Sequence, residues 1–195
     1  SLILSSLYKH YFDWLDQVDS ISWSPHKMLW IPLLASVVLT KNKWMLTKNF
    51  SQKADYLFQN DYGLNLWNKS IQCWKRNDAF KVRNIWKKIW DNWFARKINK
   101  LHLMKKEAIE RIKNHNELDL IHEPEWLNVC FTIKWENPQE ICNILYKKNI
   151  KISHATLNKI DCIRLVLVDP KNWVSWVNKL FDKIDKVIRD KKNIS

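Results

Sequence analysis

The chain has 195 residues, 46% of them hydrophobic and 27% charged, with a formal net charge of +13. Such a composition suits a globular protein with a sizeable core, either one medium domain or one small domain plus part of another. No run of about 18 apolar residues occurs, which argues against a membrane-spanning helix, and the opening stretch Ser1–Leu7 lacks the charged leader of a signal peptide.

In chain order, residues 2–15 carry Leu4, Leu7, Tyr8, Tyr11, Phe12 and Leu15 near helical spacing and predict a helix. Residues 18–23 alternate as a strand does. A polar turn with Pro25 and Lys27 follows, and the apolar run 33–39 predicts a buried strand. Residues 50–72 are polar and irregular and include Gly63, the sole glycine. Residues 76–114 predict a long helix with a break near Trp90–Trp93. Residues 127–133 predict a strand. Pro138, at a favoured first helical position, opens a helix to about Lys148. A strand over 162–168, a turn at Asp169-Pro170 and an amphipathic helix over 171–190 complete a compact α/β unit. The start lacks Met and opens inside an apolar pattern, so it reads as the interior of a longer chain.

A charge of +13 raises nucleic acid or an anionic membrane as partners. The cations are spread along the chain, however, and Asp182-Lys183-Ile184-Asp185-Lys186 alternates them with acids, as a solvated helix face does. Codon bias toward Lys, Asn and Ile would also raise the charge. The expectation is therefore no nucleic-acid and no membrane partner. Cys73, Cys130, Cys142 and Cys162 form no closely spaced pair. They predict reduced, partly buried thiols and a cytoplasmic location.

One glycine stands against 13 tryptophans. At a usual share of ~7%, a chain of this length would hold about 14 glycines. Several tryptophans also fall in turn-like text, such as Trp44 in Lys41-Asn42-Lys43-Trp44 and Trp93 in Trp90-Asp91-Asn92-Trp93. Trp does not tolerate the positive φ that turns and helix ends require. One explanation is a UGA codon that the organism reads as Gly.

Lys27 sits on a loop between two predicted strands. A lysine desolvated there would be nucleophilic toward an aldehyde, the alternative being an ordinary loop lysine. Its surroundings sharpen the reading. Ser20-Ile21-Ser22-Trp23-Ser24-Pro25-His26-Lys27-Met28-Leu29 resembles the D-S-[IV]-[TS]-W-[ND]-P-H-K-M segment of the group II pyridoxal-phosphate-dependent amino-acid decarboxylases. Ala54–Asp61 is similar to that family's A-x-Y-L-F-Q-x-D, Lys69–Asp78 to K-x-x-Q-C-G-R-R-x-D, Glu123–Phe131 to E-P-E-F-x-N-V-C-F, and Cys162–Val166 to F-F-R-[ML]-V. The matches keep the family's order and look most like the glutamate and cysteine-sulfinate branch.

The resemblance implies an aspartate-aminotransferase-like α/β fold (fold type I). Residues 1–75 would end the large cofactor domain, 76–114 would form a linking helix, and 115–195 would form the small C-terminal domain. It implies pyridoxal 5'-phosphate as cofactor, with Lys27 forming its Schiff base and His26 and Ser24 near its phosphate. Ser24 stands where the family usually has Asn. Arg164 matches the arginine that pairs with the substrate's α-carboxylate, with a surface arginine as the alternative. Tyr62 is the candidate for the loop residue that returns a proton, with a plain loop aromatic as the alternative. The implied function is decarboxylation of an acidic amino acid such as glutamate, aspartate or cysteine sulfinate by a homodimer. Another enzyme of this cofactor and fold, and a basic nucleic-acid or membrane-surface protein, are the alternatives. The family's acidic partner of the pyridine nitrogen falls just upstream of Ser1, so the 195 residues alone are expected to be inactive. Carbon dioxide release with added pyridoxal phosphate checks this; clear turnover would refute it. Trp14, Trp30, Trp44, Trp67, Trp74, Trp90 and Trp93 fall where relatives have Gly, whereas Trp23 and Trp86 fall where they have Trp.

Overall fold

A computed structural model describes residues 2–29, 36–50, 69, 78–169, 171 and 173–193. The chain divides into two units, residues 1–95 and 96–195, taken in turn below. Tyr62, Gly63, Cys73, Trp30, Trp67, Trp74 and most of the irregular stretch 50–72 lie outside the described residues.

In the first unit, the helix expected over residues 2–15 is instead two 3₁₀ pieces, Leu2–Leu4 and Lys9–Gln17. Local bonding favours the tighter turn: Tyr8 N–H donates to the Ser5 carbonyl and Tyr11 N–H to the Tyr8 carbonyl, at 3.0 and 3.1 Å. The Ser5 hydroxyl takes the Leu7 N–H at 3.3 Å, a side-chain bond that competes with α-helical pairing. Strand β1 (Ser20–Trp23) pairs antiparallel with β2 (Val37–Thr40), Ser20 opposite Thr40 and Trp23 opposite Val37. Between them lies the short helix α1 (Pro25–Met28), and α2 (Met45–Phe50) follows. The apolar run at β2 was expected to be buried, yet Val38 and Leu39 are 51% and 54% exposed. The cause is topological: among the described residues β2 pairs with β1 alone, in a two-stranded sheet.

Helix α3 (Asp78–Lys113) begins in this unit. Leu29 and Phe94 form a core, with Leu4, Trp23, Val82, Ile85, Trp86, Ile89 and Trp93 packed against it. Trp23 meets Trp86 edge-on at 5.9 Å, and Trp93 meets Phe94 edge-on at 5.3 Å, the geometry that aromatic quadrupoles favour. The break expected near Trp90 is present. Trp90 has φ 60° and ψ 163° inside α3, a combination that is essentially glycine's alone.

The second unit is a four-stranded antiparallel sheet covered by helices. Strands β3 (Leu118–Leu120), β4 (Asn128–Ile133), β5 (Ser153–Leu157) and β6 (Ile160–Val166) stand in the order β3-β4-β6-β5. Helices α4 (Pro138–Lys147) and α5 (Val174–Lys192) pack with them. Side chains alternate across a strand, so Val129, Phe131 and Ile133 of β4 are buried on one face along with Ile163 and Leu165 of β6. Phe131 meets Phe181 of α5 at 5.8 Å. Val177, Leu180, Phe181, Ile184, Val187 and Ile188 make the buried stripe of α5 at helical spacing. The opposite face is charged as expected: Arg111 bonds Asp182 and Asp185 at 3.0 and 3.1 Å, and Lys191 and Lys192 pair with Glu136 and Glu117.

Asn137 caps α4, its side-chain oxygen accepting from Gln139 N–H at 2.9 Å and Glu140 N–H at 3.4 Å. Asn137→Ala is expected to lower stability by about 1 kcal/mol. Thermal denaturation checks it, and an unchanged midpoint would refute the cap. Among the described residues no helix is long and apolar enough to cross a membrane.

Candidate active site

The placement of Lys27 follows from its neighbours. Pro25 opens α1 with the φ a first helical turn needs, Lys27 N–H donates to the Ser24 carbonyl at 3.2 Å, and Leu29 N–H donates to the Pro25 carbonyl at 3.2 Å. Pro25 and Leu29, four residues apart on one helical face, are both buried. Lys27, midway between them, therefore projects outward and is exposed. This corrects the expectation of a desolvated lysine. Its amine makes no hydrogen bond or ion pair among the described residues. Ser24 and His26 flank it, half-buried, and the Ser24 hydroxyl does not cap α1.

Arg164 lies in the second unit, on β6, opposite Cys130 of β4 on one side and Ser153 of β5 on the other. The Ser153 hydroxyl donates to the Arg164 carbonyl at 3.1 Å. While Ile163 and Leu165 point into the core, Arg164 is exposed on the opposite face. There it lines a cavity of about 390 Å³ with His122, Glu125, Asn128, Cys130 and Thr156. An arginine fork in a concave site is suited to a carboxylate, which it can grip with two parallel N–H bonds.

The two sets of residues behave differently. Ser24, His26 and Lys27 are neighbours on one segment of the first unit, while Arg164 belongs to the second. Cys130, Cys142 and Cys162 are free and buried, as expected. Burial, with the Cys130 thiol beside it, pushes the Cys162 thiol up to about 11, and burial alone pushes Cys142 up to about 11. Neither is therefore a ready nucleophile. His154 sits on β5, opposite Ile163.

Sequence reasoning did not single out His122, Glu125 or Thr156 as cavity residues. The motif Glu123–Phe131 was visible, but its nearness to Arg164 comes from β4 pairing with β6, between residues about 35 positions apart, which no local pattern announces.

Pyridoxal phosphate needs an amine for its aldehyde and donors for its phosphate. The chemistry around α1 fits both needs, with an accessible primary amine at Lys27, a hydroxyl at Ser24 and an imidazole at His26.

Residues 1–134 match the pyridoxal-dependent decarboxylase conserved domain. The chain is 28% identical over 214 residues to the acidic amino acid decarboxylase of Mus musculus, covering 97% of this chain and 39% of that protein. It is 33% identical over 136 residues to the cysteine sulfinic acid decarboxylase of Homo sapiens, covering 67% and 28% respectively. The chain thus spans less than half the length of these curated relatives. Mouse CSAD superposes with a TM-score of 0.82 at 23% identity, over 94% of this chain and 43% of that one. Oryza sativa TDC with PLP and tryptamine superposes with a TM-score of 0.90 at 18% identity, over 97% and 42%. The fold is that of the fold type I pyridoxal-phosphate enzymes, as the sequence implied. The chain belongs to the pyridoxal-dependent decarboxylase family, whose cofactor is pyridoxal phosphate.

Proposed function

We propose that this chain is part of an amino-acid decarboxylase acting on an acidic substrate, such as glutamate, aspartate or cysteine sulfinate. In this reading Lys27 holds the cofactor through its amine, and Ser24 and His26 bind its phosphate. The observation that carries the reading is the exposed amine of Lys27 on α1, without a partner among the described residues and inside the stretch that matches the family domain. The likeness to the mouse acidic amino acid decarboxylase and the human cysteine sulfinic acid decarboxylase supports an acidic substrate.

The bond broken joins the α-carbon to the carboxylate. Carbon dioxide leaves, and a proton returns to the carbon to give an amine. The bound cofactor supplies the electron sink for that step. Arg164 binds and orients the substrate carboxylate, and Tyr62 delivers the proton. The working enzyme is a cytoplasmic homodimer.

The test is product analysis with the full-length enzyme. Carbon dioxide and the matching amine from an acidic amino acid are expected; an aldehyde product, or turnover of aromatic substrates alone, would overturn the reading. Arg164→Gln is expected to raise KM by roughly 10- to 100-fold, the loss of a hydrogen bond to a charged group, while the absorbance of bound cofactor stays. An unchanged KM would remove Arg164 from the substrate site.

A further inference from the structure

A buried lysine stands behind the Arg164 cavity. Lys105, on α3, is only 7% exposed. Its amine donates to the Pro124 carbonyl at 3.1 Å and to the Glu125 carbonyl at 3.2 Å. Both carbonyls belong to the segment 121–127, which links β3 to β4. That segment supplies one wall of the cavity, through His122, Glu123, Pro124, Glu125 and Trp126. Arg164 lines the same cavity from β6.

We propose that Lys105 is a positioning residue for the substrate site: its amine ties down the 121–127 segment and so sets the width of the cavity that Arg164 serves. The inference rests on the reading of Arg164 given above.

Energetics favour this role over simple stabilisation. Taking an ammonium out of water is costly, and an apolar side chain of like volume is often as stable in such a place. Burial lowers the Lys105 pKa, and nearby Glu123 acts against that shift by favouring the charged form. What an apolar side chain cannot do is bind two backbone carbonyls at once. Segment 121–127 contains no helix or strand; backbone bonds hold its ends, Ile121 N–H to the Cys130 carbonyl and Leu167 N–H to the Leu127 carbonyl, both at 3.0 Å, and the Lys105 tie holds its middle. Lys113 adds a second link, to Glu123 at 2.8 Å, but that pair is largely exposed and contributes little.

The experiment compares Lys105→Met with Lys106→Met in the full-length enzyme. Lys106 is the exposed neighbour on the same helix and serves as the control. Two readouts are taken: hydrogen exchange of the peptide spanning 121–127, and KM against kcat for the acidic substrate. Lys105→Met is expected to speed exchange at 121–127 and to raise KM roughly tenfold or more, with a smaller change in kcat. Lys106→Met is expected to leave both unchanged. Exchange that matches wild type in Lys105→Met would overturn the tie, and faster exchange with an unchanged KM would overturn the link to the substrate site. If wild type and variant both lack turnover while exchange still differs, the decarboxylase reading fails and the tie stands.

Discussion

Lys27→Ala in the full-length enzyme is expected to abolish the visible absorbance of bound pyridoxal phosphate and to lower turnover by on the order of 10³-fold or more. The reason is geometric as well as chemical. Pro25 and Leu29 are anchored in the interior, so the amine of Lys27 is presented outward from a fixed turn. Among the described residues of the first unit, Lys41 bonds the Asp16 carbonyl and Lys43 lies over the Trp44 ring at 5.3 Å. Absorbance and turnover both retained in Lys27→Ala would move the cofactor's attachment elsewhere and sink the functional reading. In the cofactor-free protein the loss should be local, because an exposed side chain contributes little to stability, and the unfolding free energy should change by less than about 0.5 kcal/mol.

The second large effect separates the tryptophans. Trp86→Gly is expected to destabilise by about 3–5 kcal/mol, the usual cost of deleting a packed aromatic. Trp86 packs edge-on with Trp23, lies 5.5 Å from Phe94 and donates its indole N–H to Asp91 at 2.6 Å. Trp90→Gly, four residues on, is expected to do the reverse and stabilise by about 1–3 kcal/mol. Trp90 is 66% exposed, so little packing is lost, and its φ of 60° with ψ of 163° is a conformation only glycine adopts without strain. Thermal unfolding of both variants checks the contrast; a lower midpoint for Trp90→Gly would refute it. Trp135 shows the same signature, with φ 66° and 99% exposure, although nothing in the sequence had marked it. Trp14 and Trp44 are also exposed, at 48% and 66%, whereas Trp93 packs against Phe94. Mass spectrometry of the natural protein decides which of these positions carry Gly.

Legibility differed by element. β4, α4, α5 and the break in α3 were predictable because each rests on local physics: alternation, a proline at a first turn, a continuous apolar stripe, and text that no helix accommodates. β3 and β5 leave no such local signal. Leu118–Leu120 is three residues long, too short for a period to register, and Ser153–Leu157 carries Ser, His and Thr rather than an apolar alternation. Both exist because β4 and β6 offer ladder partners. Apolar spacing alone does not distinguish the 3₁₀ start from a helix of ordinary pitch.

For the site, the sequence by itself determined the family, the cofactor and the identity of the candidate lysine, since contiguous motifs such as Ser24-Pro25-His26-Lys27 carry that information residue by residue. Tertiary structure decided what surrounds each group. Lys27 faces outward because Pro25 and Leu29, two residues to either side of it, are buried. Arg164 lines a cavity because β6 lies beside β4 and β5. Lys105 reaches the cavity wall from a helix about 20 residues earlier in the chain. Such contacts join residues far apart in sequence, and only burial of a shared core brings them together.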